Sequence, residues 1–136
     1  MKTIDTELHI HMLDLGKQLS IYLNHFPKHE QYALAARMRN TYYQVYDLIT
    51  EGRKRYHKKT TLTQLDITHE QLRMQASLAF ELGYFGYKTG AKSKGKAPRD
   101  TPERLAQHRY LALSRLIDTV GRLIGSWIKQ HMGQSS

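Results

Sequence analysis

The 136 residues predict an all-α chain folded as an antiparallel, up-down-up-down four-helix bundle, a single domain spanning residues 1–136. Two observations predict it. Four segments carry apolar residues at the three- and four-residue spacing of an amphipathic helix, and only three short or medium connections separate them. The pattern is fullest from Leu113 to Ile128, where Leu113, Leu116, Ile117, Val120, Leu123, Ile124, Trp127 and Ile128 form one broad face that needs helical partners. Gly121 and Gly125, four apart, each cost about 1 kcal/mol against alanine in a helix interior, and their missing Cβ atoms open the way to close approach by another backbone.

The first helix is predicted from Asp5 to Asn24, with Ile4, Leu8, Met12, Leu15, Leu19 and Tyr22 or Leu23 facing inward. Phe26-Pro27 ends it, because proline cannot continue the hydrogen-bond ladder and disfavours helix in the residue before it. The second helix is predicted from Lys28 to Tyr56, with Leu34, Met38, Thr41, Val45, Leu48 and Ile49 inward. Tyr42, Tyr43 and Tyr46 lie beside that stripe and read as core-edge or subunit-contact residues rather than as base-stacking rings. Thr61-Leu-Thr-Gln64 has capping-box spacing and predicts the start of the third helix, which buries Leu65, His69 or Leu72, Ala76, Ala79 and Phe80 and runs to Leu82, where Gly83 and Gly86 stop it. Residues 87–100 are rich in Gly, Lys and Ser without periodicity, which predicts a flexible basic loop. Thr101 as N-cap, Pro102 at the first helical position and Glu103 in the first turn start the fourth helix, predicted to reach Gln130 with a frayed tail over 132–136.

Composition narrows the chemistry. With no cysteine there is no disulfide, thiolate metal site or cysteine nucleophile, which fits a reducing, cytoplasmic setting. No apolar run resembles a signal peptide or is long enough to cross a bilayer, so a soluble protein without membrane contact is expected. Eight histidines invite a metal hypothesis, but His9 and His11 point to different helix faces, His25 and His29 flank Pro27, and no Glu-x-x-His motif occurs. P-loop, GxGxxG and GxSxG motifs are missing too. No catalytic, cofactor or metal site is predicted, and the chain is read as a non-enzyme.

Charge gives the positive signal. Lys and Arg number 21 against 12 Asp and Glu, a net +9 that points to a polyanionic partner. Five of these cations, Arg53, Lys54, Arg55, Lys58 and Lys59, lie at the end of the second helix with Tyr56 and His57 among them. Five more, Lys88, Lys92, Lys94, Lys96 and Arg99, lie in the 87–100 loop. Cations at a helix C-terminus favour its dipole, which explains part of the first cluster, but five in seven residues exceed that need. Both clusters, with His57, are candidate nucleic-acid contacts acting by counterion release, and Tyr56 and His57 offer rings for stacking on bases. In an up-down-up-down bundle the two clusters fall at opposite ends, a helix length apart. Arg37, Arg39, Arg73, Arg109, Arg115 and Arg122, spread along helices, are individually uninformative, and pairs with Asp47, Glu70 or Asp118 are expected for some. Tyr22, Tyr32, Tyr42, Tyr84, Phe85 and Tyr110 exceed what one small core requires, which predicts burial against further copies of the chain.

Phe26-Pro-Lys-His-Glu-Gln-Tyr-Ala-Leu34, Arg39-Asn40, Val45-Tyr-Asp-Leu-Ile49, Tyr56-His-Lys-Lys-Thr-Thr-Leu62, Leu82-Gly-Tyr84 and Val120-Gly-Arg-Leu-Ile-Gly-Ser-Trp-Ile128 together resemble one family over about Leu15 to Lys129. It is Avd, the accessory variability determinant of diversity-generating retroelements, within a superfamily of four-helix-bundle proteins encoded in intervening sequences of 23S ribosomal RNA genes. The Gly121–Ile128 ending is the most specific part of the likeness. The resemblance implies a small basic bundle that assembles as a homopentamer and binds the element's reverse transcriptase, its template RNA and its cDNA, supporting mutagenic cDNA synthesis without catalysing it. It places Arg53, Lys54, Arg55, Lys58 and Lys59 where the family carries basic residues. The rival reading is an oligomeric structural bundle of the intervening-sequence type with no specific nucleic-acid role.

Overall fold

The apolar periodicities are realised as four helices, α1 (Ile4–Asn24), α2 (Leu34–Lys54), α3 (Lys59–Glu81) and α4 (Pro102–Gln134), in a computed structural model that describes residues 3–88, 91–92 and 101–134. Each helix packs on the next in sequence and α4 returns to α1, so the four form a closed, antiparallel, all-α bundle with α1 and α3 on one diagonal. The core is built from the predicted stripes: Leu8, Met12, Leu15, Leu19 and Leu23 from α1, Met38, Val45 and Ile49 from α2, Leu65, Leu72, Ala76 and Ala79 from α3, and Leu113, Ile117, Val120, Ile124 and Trp127 from α4. On α1 both Tyr22 and Leu23 are buried, and on α3 both His69 and Leu72. Leu34, Leu48 and Phe80 sit at the core's edge rather than inside it.

The second helix begins later than its sequence predicts. Lys28–Glu30 is a short 3₁₀ turn, and α2 starts only at Leu34. The reason is local hydrogen bonding. Gln31 turns its amide back to donate to the carbonyls of Leu23 (2.8 Å) and Phe26 (3.0 Å), tying the connection to the end of α1. Glu30 accepts from the Leu34 N–H (3.0 Å) and from the Tyr84 hydroxyl (2.9 Å), which together hold its carboxyl below the usual range. A continuous helix from Lys28 would lose these bonds.

The capping box at Thr61 is overturned. The helix starts two residues earlier, at Lys59, with Leu62 N–H donating to the Lys58 carbonyl. Thr61 is buried and Gln64 donates to Thr68 instead, so the motif lies inside a helix that the preceding connection had already begun. At the far end, α4 continues through Gly133 to Gln134, past the predicted stop at Gln130. The start of the 87–100 segment is not irregular: Tyr87–Lys88 pairs antiparallel with Ala91–Lys92. Lys94, Lys96 and Arg99 lie outside the described residues.

The predicted surplus of aromatic residues is largely absorbed within the chain. Tyr22 and Phe85 are buried, and Tyr42, Tyr84 and Tyr110 pack against the core, leaving Tyr32 exposed. Phe85 receives Phe26 and Tyr22 edge-on, and Phe80 stacks on Tyr110 at 4.4 Å. Tyr42 donates to the Met12 carbonyl (2.7 Å) where Gly16 makes room, since a Cβ there would lie 2.2 Å from the hydroxyl oxygen. Burial pushes this hydroxyl up to about 12, so it stays a donor. Tyr46 shares a hydrogen bond with His9 (2.7 Å), while Tyr43 is exposed.

Candidate nucleic-acid interface

The basic cluster of residues 53–59 occupies the last turn of α2, the connection Arg55–Lys58 and the first residue of α3. Its base is rigid. Gly52 lies against the Trp127 ring of α4, 2.9 Å from where a Cβ would stand, and Leu62 closes the other side. The cluster is tied to the start of α1 by Arg53, which donates to Asp5 at 3.0 Å. A bond from the Thr3 hydroxyl, then the backbone N–H of Asp5 itself and then Arg53, together hold the Asp5 carboxyl below its ordinary range against the opposing effect of burial.

The five cations are not equivalent. Lys58 points inward over the end of α2, where its ammonium donates to the carbonyls of Gly52 (2.5 Å), Arg55 (2.7 Å) and Arg53 (3.4 Å). These are acceptors that a helix C-terminus leaves unpaired, and a cation there also meets the negative end of the dipole. Lys58 is therefore a structural cap, and its charge is largely spent inside the turn. Arg55 pairs with Glu51 one turn back (3.0 Å). Lys54 and Lys59 are exposed and make no ion pair among the described residues. Between them stands Tyr56, 90% exposed, with its ring edge-on to His57 at 4.8 Å between centroids. A phenol ring this exposed, standing between cations, offers a surface for an unpaired base beside its phosphates.

The second basic group starts at the opposite end of the bundle. Arg109 lies over the Tyr22 ring (5.5 Å) and donates to the Tyr87 carbonyl (2.6 Å), anchoring the hairpin to α4. Lys88 is exposed on that hairpin, and Lys92 lies on its second strand, opposite Tyr87. The two groups thus begin at opposite ends, as the topology requires.

One basic surface escapes a reading based on local clustering. Arg104, Arg115, Arg122 and Lys129 are all exposed on α4, on the side away from Leu113, Ile117, Val120 and Ile124. Their signal in the sequence is periodic rather than local, a cation every seven residues over Arg115, Arg122 and Lys129. Arg73 of α3 behaves differently, pairing with both Glu70 and Asp118.

Gly121 and Gly125 also part company. A Cβ on Gly121 would lie 2.8 Å from the ring of buried His69, whose Nε2–H donates to the Ile117 carbonyl at 2.8 Å. Gly121 thus admits a side chain rather than a backbone. Gly125 is exposed and a Cβ there would meet nothing within 4 Å, so no neighbour inside the chain requires it. Burial, with the Arg73 charge adding to it, lowers the His69 pKa from 6.5 despite the opposing bond to Ile117. Among the described residues no group of three or more His, Asp or Glu side chains could hold a metal ion, and no helix is long and apolar enough to cross a membrane.

Fold and surface define a small, basic, all-α bundle protein. A family model described as bAvd-like matches residues 9–99, and the chain belongs to that family. The matched span takes in most of α1, from His9 on, then α2, α3 and the hairpin. The Gly121–Ile128 ending, on which the sequence resemblance leaned most, lies beyond it. No curated protein matches the chain.

Proposed function

We propose that this protein is the non-catalytic accessory subunit of a diversity-generating retroelement, binding the element's reverse transcriptase and template RNA in the cytoplasm and supporting mutagenic cDNA synthesis. Family membership supports the retroelement setting. The observation that carries RNA contact is the α2–α3 turn, where exposed Tyr56 and His57 stand between the unpaired cations Lys54 and Lys59. Lys58 supports that surface from beneath, and Arg53 and Arg55 contribute through what their ion pairs leave of their charge. Lys88 and Lys92, on the hairpin at the opposite end, add positive charge for a second attachment, and Lys94, Lys96 and Arg99 follow them in sequence.

The test follows from the separation of roles within the turn. A Lys54→Gln, Tyr56→Ala, Lys59→Gln variant leaves the Lys58 cap and both ion pairs in place, so helicity should be retained. Co-expressed with a retroelement reverse transcriptase and its template RNA, it should retain less RNA in a pull-down and make less cDNA than the parent. Undiminished RNA retention and cDNA output would remove the turn from the interface.

The homopentamer implied by the family resemblance draws support from a different surface. Ile10, Leu13 and Ile21 line the outer side of α1, and Ile67, Met74 and Leu78 the outer side of α3. Because α1 and α3 are diagonal, these apolar stripes face in opposite directions, which suits head-to-tail contacts that close into a ring. Met74→Lys should then lower the native mass toward that of one chain while preserving helicity; an unchanged mass would exclude the α3 stripe from the contact.

A further inference from the structure

We propose that the outer face of α4 is a second nucleic-acid surface, one that takes the phosphate backbone of double-helical RNA rather than unpaired bases. The proposal rests on the RNA-binding reading above and extends it to residues outside the turn.

Position on the helix is the first argument. At about 100° per residue, Arg104, Arg115, Arg122 and Lys129 fall within about 40° of one line, opposite the buried stripe. They run from the first turn of α4 nearly to its end, about 38 Å, with the last three about 10.5 Å apart. Such a straight row is long enough to follow a duplex across successive phosphates, and a duplex presents its phosphates outward.

Availability is the second. None of these four side chains makes an ion pair among the described residues, and Arg122 makes only a long bond to Thr119 (3.4 Å). Of the two acids on α4, Glu103 lies off to one side of the row, and exposed Asp118, within about 40° of it, is engaged by Arg73 from α3. The face therefore carries its cations from Arg104 to Lys129, with His108 beside the row and exposed Leu111 as its one large apolar side chain among the described residues.

The chemistry of its surface decides the kind of nucleic acid. No exposed aromatic residue stands on this face; Tyr110, the α4 aromatic nearest it, is stacked on Phe80. Without a ring to receive a base, the face contacts backbone alone. Between Arg122 and Lys129, exposed Gly125 and Ser126 lower the relief of the helix, and Gly125 has no neighbour of its own chain to account for it. A bulky, smooth partner can approach the α4 backbone most closely there.

The experiment compares two full-length variants, Arg104→Gln/Arg115→Gln/Arg122→Gln/Lys129→Gln and the turn variant Lys54→Gln/Tyr56→Ala/Lys59→Gln. Each is titrated by fluorescence anisotropy with an RNA duplex of about 20 base pairs and an unstructured single strand of about 20 nucleotides, over a range of salt. The α4 variant should bind duplex at least about tenfold more weakly, and its slope of log affinity against log salt should fall by about 3 to 4, close to one per lost phosphate contact. Its single-strand affinity should change less than about threefold, while the turn variant shows the reverse preference. Circular dichroism and native mass serve as fold controls, and glutamine is a good helix former.

Duplex affinity and salt slope matching the parent would overturn the proposal while leaving the RNA-binding function standing. Equal losses on duplex and single strand would overturn the duplex assignment, leaving general polyanion attraction. Loss of reverse transcriptase retention in RNA-free pull-down, with duplex affinity intact, would overturn it in favour of a protein contact. If the parent itself binds neither RNA at low salt, the proposed function falls along with the α4 surface.

Discussion

The α2–α3 turn and the outer face of α4 carry the same sign of charge and use it differently. At the turn, five cations fall within seven residues, yet Lys58 caps α2 and Arg53 and Arg55 are paired with Asp5 and Glu51. Along α4, four cations are spread over 26 residues, Arg104 to Lys129, and none makes an ion pair among the described residues. The dense cluster is the weaker source of free charge. Density in a sequence window measures what a turn must neutralise as much as what it offers to a partner.

The largest effect that sharpens this contrast is expected at Lys58. Lys58→Met keeps the aliphatic stem but removes the ammonium from three carbonyls, and should lower unfolding free energy by about 1–2 kcal/mol in urea titration. Arg115→Gln, on the unpaired face, should stay within about 0.5 kcal/mol of the parent. Equal losses for the two would erase the distinction between spent and available charge.

The two glycines of α4 divide along the same line. Gly121→Ala drives a methyl group into the His69 ring and endangers its bond to Ile117, so a loss of about 1–2 kcal/mol is expected. Gly125→Ala meets open space and should raise stability by up to about 1 kcal/mol through helix propensity. Thermal unfolding of the pair checks the opposite signs.

A smaller effect is expected with pH. His69 is neutral in the folded chain, with a pKa below its ordinary 6.5, so the unfolded chain binds the proton more readily. Its contribution is complete above pH 6.5 and is lost as pH falls below that value toward the folded pKa. His25, lowered by burial and then by the charges of Arg109 and Lys88, acts in the same direction. His69→Gln should flatten the decline in urea midpoint between about pH 7 and 5, and an undiminished slope would assign it to other groups.

Much of the bundle was legible because a helix that buries one face must write that face every three or four residues. Leu8 to Leu23 and Leu113 to Trp127 did so, and the structure buries them as a single core. The boundaries at Leu34 and Lys59 were not legible. They depend on where Gln31, Glu30 and Lys58 send their side chains, and each bonds to groups several residues away in a turn whose shape the periodicity does not contain. The site was legible in part. Tyr56 and the cations around it are neighbours in sequence, so their association needed no fold.

What the sequence by itself determined is therefore the helical class, the order of the four inward faces, and a positive charge too large for the fold's own needs. All three follow from composition and from periodicity along the chain. What only the tertiary structure decided is which groups are already occupied. Lys58 turns under the turn it seemed to decorate, Phe85 enters the core while Tyr42 packs against it, Gly121 serves His69 while Gly125 faces open space, and Arg104, Arg115 and Arg122 make no ion pair among the described residues. Occupancy is set by distances between residues far apart in sequence, and those distances exist only once the helices are packed.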